Sequence, residues 1–293
     1  MGPPANRPAP PSPIDRDSAN DLMGPLTELV VLAGSAILEV DRARMRIEGK
    51  TDGSPVTDAD LAADRIIADG LARLAPHIPV LSEERAALRE VDGSAAFFLI
   101  DPLDGTKEFV AGRNEFTVNL ALVVNGTPFL GIIGAPALGL IWRGLVGVGA
   151  ERLTTTTTLG PALPIRTRPF PRLGQPWIAA VSRSHGDAAT EAFIDARRGA
   201  VRQRLGSAVK FAKVAEGAAD IYPRLAPTHQ WDVAAGHAIV TAAGGKITDA
   251  AGADLRFGRG TQTATQQGTQ DGAKDFLVST FIAWGDPRLS KNL

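Results

Sequence analysis

At 293 residues the chain can bury a large core and is long enough for two lobes. Its 31 basic and 32 acidic residues leave a formal net charge of -1, so no overall field draws it to a nucleic acid polymer or an anionic membrane, and any anion site must be local. Without cysteine there can be no disulfide, thiolate zinc site or cysteine nucleophile, which fits a reducing compartment and leaves metal chemistry to oxygen ligands.

Residues 1–20 carry six prolines and almost no large apolar side chains, so they cannot offset the entropy of ordering and read as a disordered tail. The start lacks the apolar centre of a signal peptide, and no run approaches the ~18 to 20 apolar residues of a membrane span. The expectation is a soluble, cytoplasmic protein, with a peripheral place at the inner face of a membrane as the alternative the tail leaves open.

Leu22, Leu26, Leu29, Ala33, Ile37 and Val40 recur at steps of three and four, which predicts an amphipathic helix reaching about residue 44. Residues 45–57, MRIEGKTDGSPVT, read as a loop. Thr57 and Asp60 have capping-box spacing, and Ala63, Ile67, Leu71 and Leu74 form the buried stripe of a second helix ending near Pro76. Two short apolar runs, 78–82 and 97–100, read as buried strands that end in acids, Glu83 and Asp101. FTVNLALVV, an Asn125-Gly126 turn and PFLGIIGA then predict a hairpin within an antiparallel meander.

A threonine run at 154–158 and the proline-rich PALPIRTRPFPRLGQP mark a crossing, with the boundary near residue 172. The expected division is a tail (1–20), an N-terminal α+β lobe (21–172) and a C-terminal α/β lobe (173–293). In the second lobe strands (WIAAVS, AVRQRL, ADIY) alternate with helices at about 187–198 and 207–216 and over WDVAAGHAIVTAA, which Gly244-Gly245 caps before KITDA. The polar stretch 261–274 reads as a surface loop before a last strand, FLVST.

The chemistry concentrates in IDPLDGTKEF at 100–109, where Asp101 and Asp104 stand three residues apart. Like charges so close raise one pKa unless a cation separates them. Pro102 stiffens the turn, and Gly105 lets backbone approach a ligand. Alone, these acids could close a strand and begin an Asp-Gly turn, Asp60 and Asp232 could be helix N-terminal acids, and Glu83 and Glu84 a solvated turn. Together they make four carboxylate sites at strand tips or helix starts, with Thr106 adding a hydroxyl. That donor set selects Mg²⁺ or Mn²⁺ and suits phosphate chemistry.

KTDGSPVTDAD, LSEE, DPLDGTKEF and WDVAAGHAIVTAAGG, in that order, resemble the magnesium-dependent, lithium-sensitive phosphatases that include inositol monophosphatases and fructose-1,6-bisphosphatases. TKEF, VSRSH at 181–185, GSAVKF at 206–211, AEG at 215–217 and YPR at 222–224 are similar, more narrowly, to the CysQ-type 3'(2'),5'-bisphosphate nucleotidases. The resemblance covers about 22–257. It implies a layered αβαβα sandwich of mixed α+β and α/β character, two or three Mg²⁺ ions, and hydrolysis of 3'-phosphoadenosine 5'-phosphate, or also its sulfated form, to clear a by-product of sulfate assimilation. It implies a small-molecule phosphorylated nucleotide as partner, and a monomer or homodimer.

Carried over residue by residue, the resemblance places metal ligands at Glu83, Asp101, the Leu103 carbonyl, Asp104 and Asp232. Asp60 and Thr106 would handle the attacking water, with Glu83 as the third catalytic residue, and Gly105 and Thr106 would steady the phosphate. His185, Ser207, Lys210 and Arg224, with Asp232, would hold the nucleotide and its second phosphate; Lys50 and Asp52 would contribute from the 45–57 loop. An inositol or sugar phosphatase is the alternative within the same chemistry, and a catalytically silent metal- or nucleotide-binding regulator is the alternative outside it.

Overall fold

The computed structural model describes residues 14–49, 55–88, 96–155, 158–169, 175–184, 186–197, 199–258 and 276–291. Lys50, Asp52, His185, the expected boundary near residue 172 and the 261–274 loop lie outside the described residues, as does the tail to residue 13.

Helix α1 (Arg16–Glu39) begins six residues before the apolar spacing predicts, because Asp15 caps it, accepting the Ser18 N–H at 2.8 Å. It ends at Glu39, short of the expected residue 44. By length and composition α1 could cross a membrane, contrary to the expectation from its apolar runs alone. Here its Leu26, Leu29, Val30, Ala33 and Ile37 face is buried in the core it shares with the next helix and a seven-stranded sheet, as in a core helix. The expected loop after it contains a short antiparallel ribbon, β1 (Ile47–Gly49) with β2 (Pro55–Thr57). Helix α2 (Asp58–Leu74) opens on the capping box foreseen from Thr57 and Asp60.

Seven strands then form one sheet in chain order: β3 (Val80–Ser82), β4 (Ala96–Asp104), β5 (Thr117–Val124), β6 (Thr127–Ala135), β7 (Leu140–Leu145), β8 (Gly149–Thr154) and β9 (Leu163–Ile165). β3 runs parallel to β4 and the other pairs are antiparallel. Asn125 and Gly126 both take positive φ, 51° and 72°, as a two-residue hairpin turn requires. β9 falls inside the proline-rich stretch that read as a crossing. A short helix, α3 (Thr106–Val110), leaves the end of β4.

The second sheet has the order β11-β10-β12-β16-β14, from β10 (Ile178–Ser182), β11 (Val201–Leu205), β12 (Ile221–Arg224), β14 (Lys246–Thr248) and β16 (Phe281–Trp284). Helices α4 (Ala188–Asp195), α5 (Val209–Ala215) and α6 (Gln230–Ala242) alternate with its strands. Of the predicted FLVST strand only β15 (Leu277–Val278) forms, paired outside this sheet with β13 (Thr228–His229). The strand that enters the sheet is the next segment, FIAW, antiparallel to β12 and β14.

Alternating side chains explain the layers. Phe98 and Ile100 of β4 join the core under α1 and α2, while Phe97 and Leu99 join the core shared with α5, α6 and the second sheet. Ile194 of α4 packs with Ala179, Ile221 and Trp284 on the far face of that sheet. The result is a helix, sheet, helix, sheet, helix stack, the αβαβα sandwich expected. Both faces of β4 are covered, so its first five residues, Ala96 to Ile100, are apolar without a break, and Phe97→Ala would cost about 3 to 5 kcal/mol.

Candidate active site

The first acids are delivered by strand register. Ser82 of β3 pairs with Ile100 of the parallel β4, so Glu83, just past the end of β3, and Asp101, within β4, follow adjacent residues. Asp101 stands opposite Asn119 and Asp104 opposite Thr117, so β4 carries one residue more than β5 between these pairs. Such a bulge bends the strand and re-aims the side chains beyond it. Gly105 comes next at φ +91°, and a Cβ on it would lie 2.2 Å from Ser207 Oγ. Only glycine fits between this turn and Ser207.

Glu83, Asp101, Leu103, Asp104, Gly105 and Thr106, from the β3–β4 region and the start of α3, line a cavity of about 290 Å³. Ser207, Lys210, Arg224 and Asp232, from the segments of the second sheet and its helices, line it with them. Asp60 lies behind Thr106, outside the cavity wall: its Oδ1 is 3.0 Å from Thr106 Oγ1, while Oδ2 accepts the Thr57 amide at 2.8 Å. Capping acid and partner of Thr106 are therefore the same residue. Asp232 is also a capping acid, accepting the His229 amide at 3.1 Å and the Thr228 hydroxyl.

The charges of the cavity oppose each other. Burial, reinforced by the negative charge of Asp232, pushes the Asp104 carboxyl up to about 6, against Lys210 and a hydrogen bond from Asn119. Burial pulls Lys210 down to about 8, against the attraction of Asp104. Lys210 is only 3% exposed, so it is a buried cation and not a surface lysine. Ser207 has its hydroxyl 2.9 Å from the carbonyls of both Asp104 and Glu115, so it acts first on backbone.

Two cavity residues escaped the sequence reading, although their motifs were in view. Glu108, in TKEF, is buried and accepts the Ser184 hydroxyl at 2.5 Å. Tyr222, in YPR, is buried beside Arg224 with the Lys210 ammonium 5.3 Å from its ring centroid. Single glutamates and tyrosines give no periodic signal, so only topology reveals them.

The profile of the inositol monophosphatase family matches residues 21–279. The chain belongs to that family. The 3'(2'),5'-bisphosphate nucleotidase CysQ of Escherichia coli O157:H7 is 41% identical over 221 residues, 74% of this chain and 86% of that protein. The protein of the same name from Buchnera aphidicola is 33% identical over 75% of this chain and 81% of its own length. CysQ from Bacteroides thetaiotaomicron, a solved structure, superposes with a TM-score of 0.68 at 30% identity, covering 90% of this chain and 97% of that one. An inositol monophosphatase from Thermotoga maritima gives 0.69 at 26% identity, covering 92% and 94%.

Enzymes of the inositol monophosphatase family depend on a metal, typically Mg²⁺. Among the described residues no three His, Asp or Glu side chains form a ready-made cage. The donor chemistry nevertheless fits a hard divalent ion: the cavity is lined by carboxylates and a carbonyl, and Asp104 and Asp232 press on each other with Lys210 as partial relief.

Proposed function

We propose that this protein is a Mg²⁺-dependent 3'(2'),5'-bisphosphate nucleotidase that hydrolyses 3'-phosphoadenosine 5'-phosphate to AMP and phosphate. The observation that carries the reading is one cavity lined both by acids, Glu83, Asp101, Asp104 and Asp232, and by two cations, Lys210 and Arg224. A substrate with two phosphates satisfies both sets, one group at the acids through a bound metal and one at the cations. The names of the relatives support the same substrate.

In this reading Glu83, Asp101, Asp104, Asp232 and the Leu103 carbonyl hold two or three ions, with Mg²⁺ the natural occupant and Mn²⁺ able to replace it. Bound there, the metal supplies an activated water and neutralises charge on the leaving oxygen. The Thr106 hydroxyl lies 3.0 Å from Asp60 Oδ1 and 3.1 Å from the Leu103 carbonyl, so it can give its proton to either and present its lone pairs to the attacking water. Asp60, buried and capping α2, holds that geometry fixed and takes the proton through Thr106. Gly105 and Thr106 present backbone to the scissile phosphate. Lys210 and Arg224 fix the second phosphate. The roles of His185, Lys50 and Asp52, which lie outside the described residues, rest on the sequence resemblance alone.

Arg224→Ala tests the assignment. It should reduce kcat/KM for 3'-phosphoadenosine 5'-phosphate at least tenfold more than for inositol 1-phosphate; equal losses would remove Arg224 from a second-phosphate role.

A further inference from the structure

Ser207 sits on the turn between β11 and α5, Lys210 follows in the first turn of α5, and the turn is held by Glu115, just before β5. Gly206 is buried, and its N–H donates to Glu115 Oε2 at 2.8 Å. A Cβ on Gly206 would lie 2.5 Å from the Glu115 carbonyl, so the two segments are in direct backbone contact. That carbonyl also lies 2.9 Å from Ser207 Oγ, and Ser207 is held at φ 47°, an unfavourable conformation for serine. The Ser207 carbonyl in turn accepts from the Lys210 ammonium at 2.5 Å. Glu115 thus stands at the start of a chain of contacts that ends on the cavity cation.

We infer that Glu115 is a positioning residue: by accepting the buried Gly206 N–H it sets the turn that aims Lys210, and so sharpens selection for a second phosphate. This rests on the substrate reading above. Arg183 Nη2 also approaches both Glu115 oxygens, at 2.9 and 2.7 Å, but that pair is partly exposed and contributes little. The decisive contact is the one to Gly206, because an unpaired buried amide costs more than a surface ion pair returns. The catalytic wall touches this turn where the Ser207 hydroxyl meets the Asp104 carbonyl, and has further support in the β4–β5 ladder, where Asp101 faces Asn119 and Asp104 faces Thr117.

Two conservative variants separate the contacts. Glu115→Asp keeps the charge for Arg183 but withdraws the carboxylate from Gly206, whereas Glu115→Gln keeps an acceptor for Gly206 without the charge. The readout is the ratio of kcat/KM for 3'-phosphoadenosine 5'-phosphate to that for adenosine 3'-monophosphate, with amide exchange of residues 203–210 measured beside it. Glu115→Asp should lower the ratio about tenfold and speed exchange in 203–210 but not in 97–104, the size of one lost charge-assisted hydrogen bond. Glu115→Gln should stay within about threefold of wild type, since its oxygen still accepts the Gly206 N–H. The inference falls if Glu115→Asp loses activity equally on both substrates or leaves the ratio unchanged, or if Glu115→Gln is the worse variant. A wild-type ratio near one would instead refute the second-phosphate reading, and the exchange data would still report whether Glu115 pins the turn.

Discussion

Lys210→Met should make the protein a poorer enzyme without making it less stable. The lysine is almost fully buried, and its pKa falls from 10.5 to about 8. A base whose pKa is lower folded than unfolded holds its proton less firmly in the native state. The cost is fully present below pH 8 and disappears as pH rises past 10.5. At neutral pH the shift corresponds to roughly 3 kcal/mol of folding free energy. Methionine keeps most of the stem, removes the charge and leaves Asp104 without its counter-charge, so part of that gain is returned. In thermal unfolding without divalent ions, Tm should match wild type or rise by a few degrees, at about 2 to 4 °C per kcal/mol. Loss of a charge-assisted bond to phosphate, about 1.5 to 3 kcal/mol, should lower kcat/KM for the bisphosphate by roughly 10- to 150-fold. A Tm well below wild type, or undiminished turnover, would refute the view of Lys210 as a cation kept at a cost to stability for the sake of a ligand.

Asp104→Asn should reduce turnover by at least about a hundredfold; calorimetry should show weakened Mg²⁺ binding with the circular dichroism spectrum unchanged, and undiminished activity would remove Asp104 from the metal set. Gly105→Ala meets both a positive φ and the Ser207 hydroxyl, and should destabilise by about 1 to 3 kcal/mol in denaturant unfolding. Adding Ser207→Gly should recover part of that loss by removing the clash. His237, on α6, is buried with its pKa lowered to about 4, so between pH 6.5 and 4 the unfolded chain takes up a proton the folded one refuses. Stability should fall with pH across that window, by up to roughly 3 kcal/mol, and a pH series of Tm values for His237→Phe should be flatter than for wild type.

Much of the structure up to the seven-stranded sheet was legible because its signals are local. Apolar period, the Thr57–Asp60 capping box and the Asn125-Gly126 turn each specify backbone within a few residues, and the structure contains all three. The carboxylates were legible as acids ending apolar runs, and parallel pairing of β3 with β4 brings two of those ends together. What stayed hidden depends on distant partners. FIAW is one of the shortest sheet strands, and only β12 and β14 make it central. Glu115 carries no signal in the sequence that singles it out, and its contact is with Gly206, ninety-one residues on. Ser207 was read as a substrate ligand, yet its hydroxyl lies against two carbonyls.

The substrate reading meets its most direct test in phosphate release from 3'-phosphoadenosine 5'-phosphate and from inositol 1-phosphate, each with and without Mg²⁺. Metal-dependent release with a clear preference for the nucleotide is the expected result. Faster hydrolysis of inositol 1-phosphate would contradict the account and leave Lys210 and Arg224 without a second phosphate to hold.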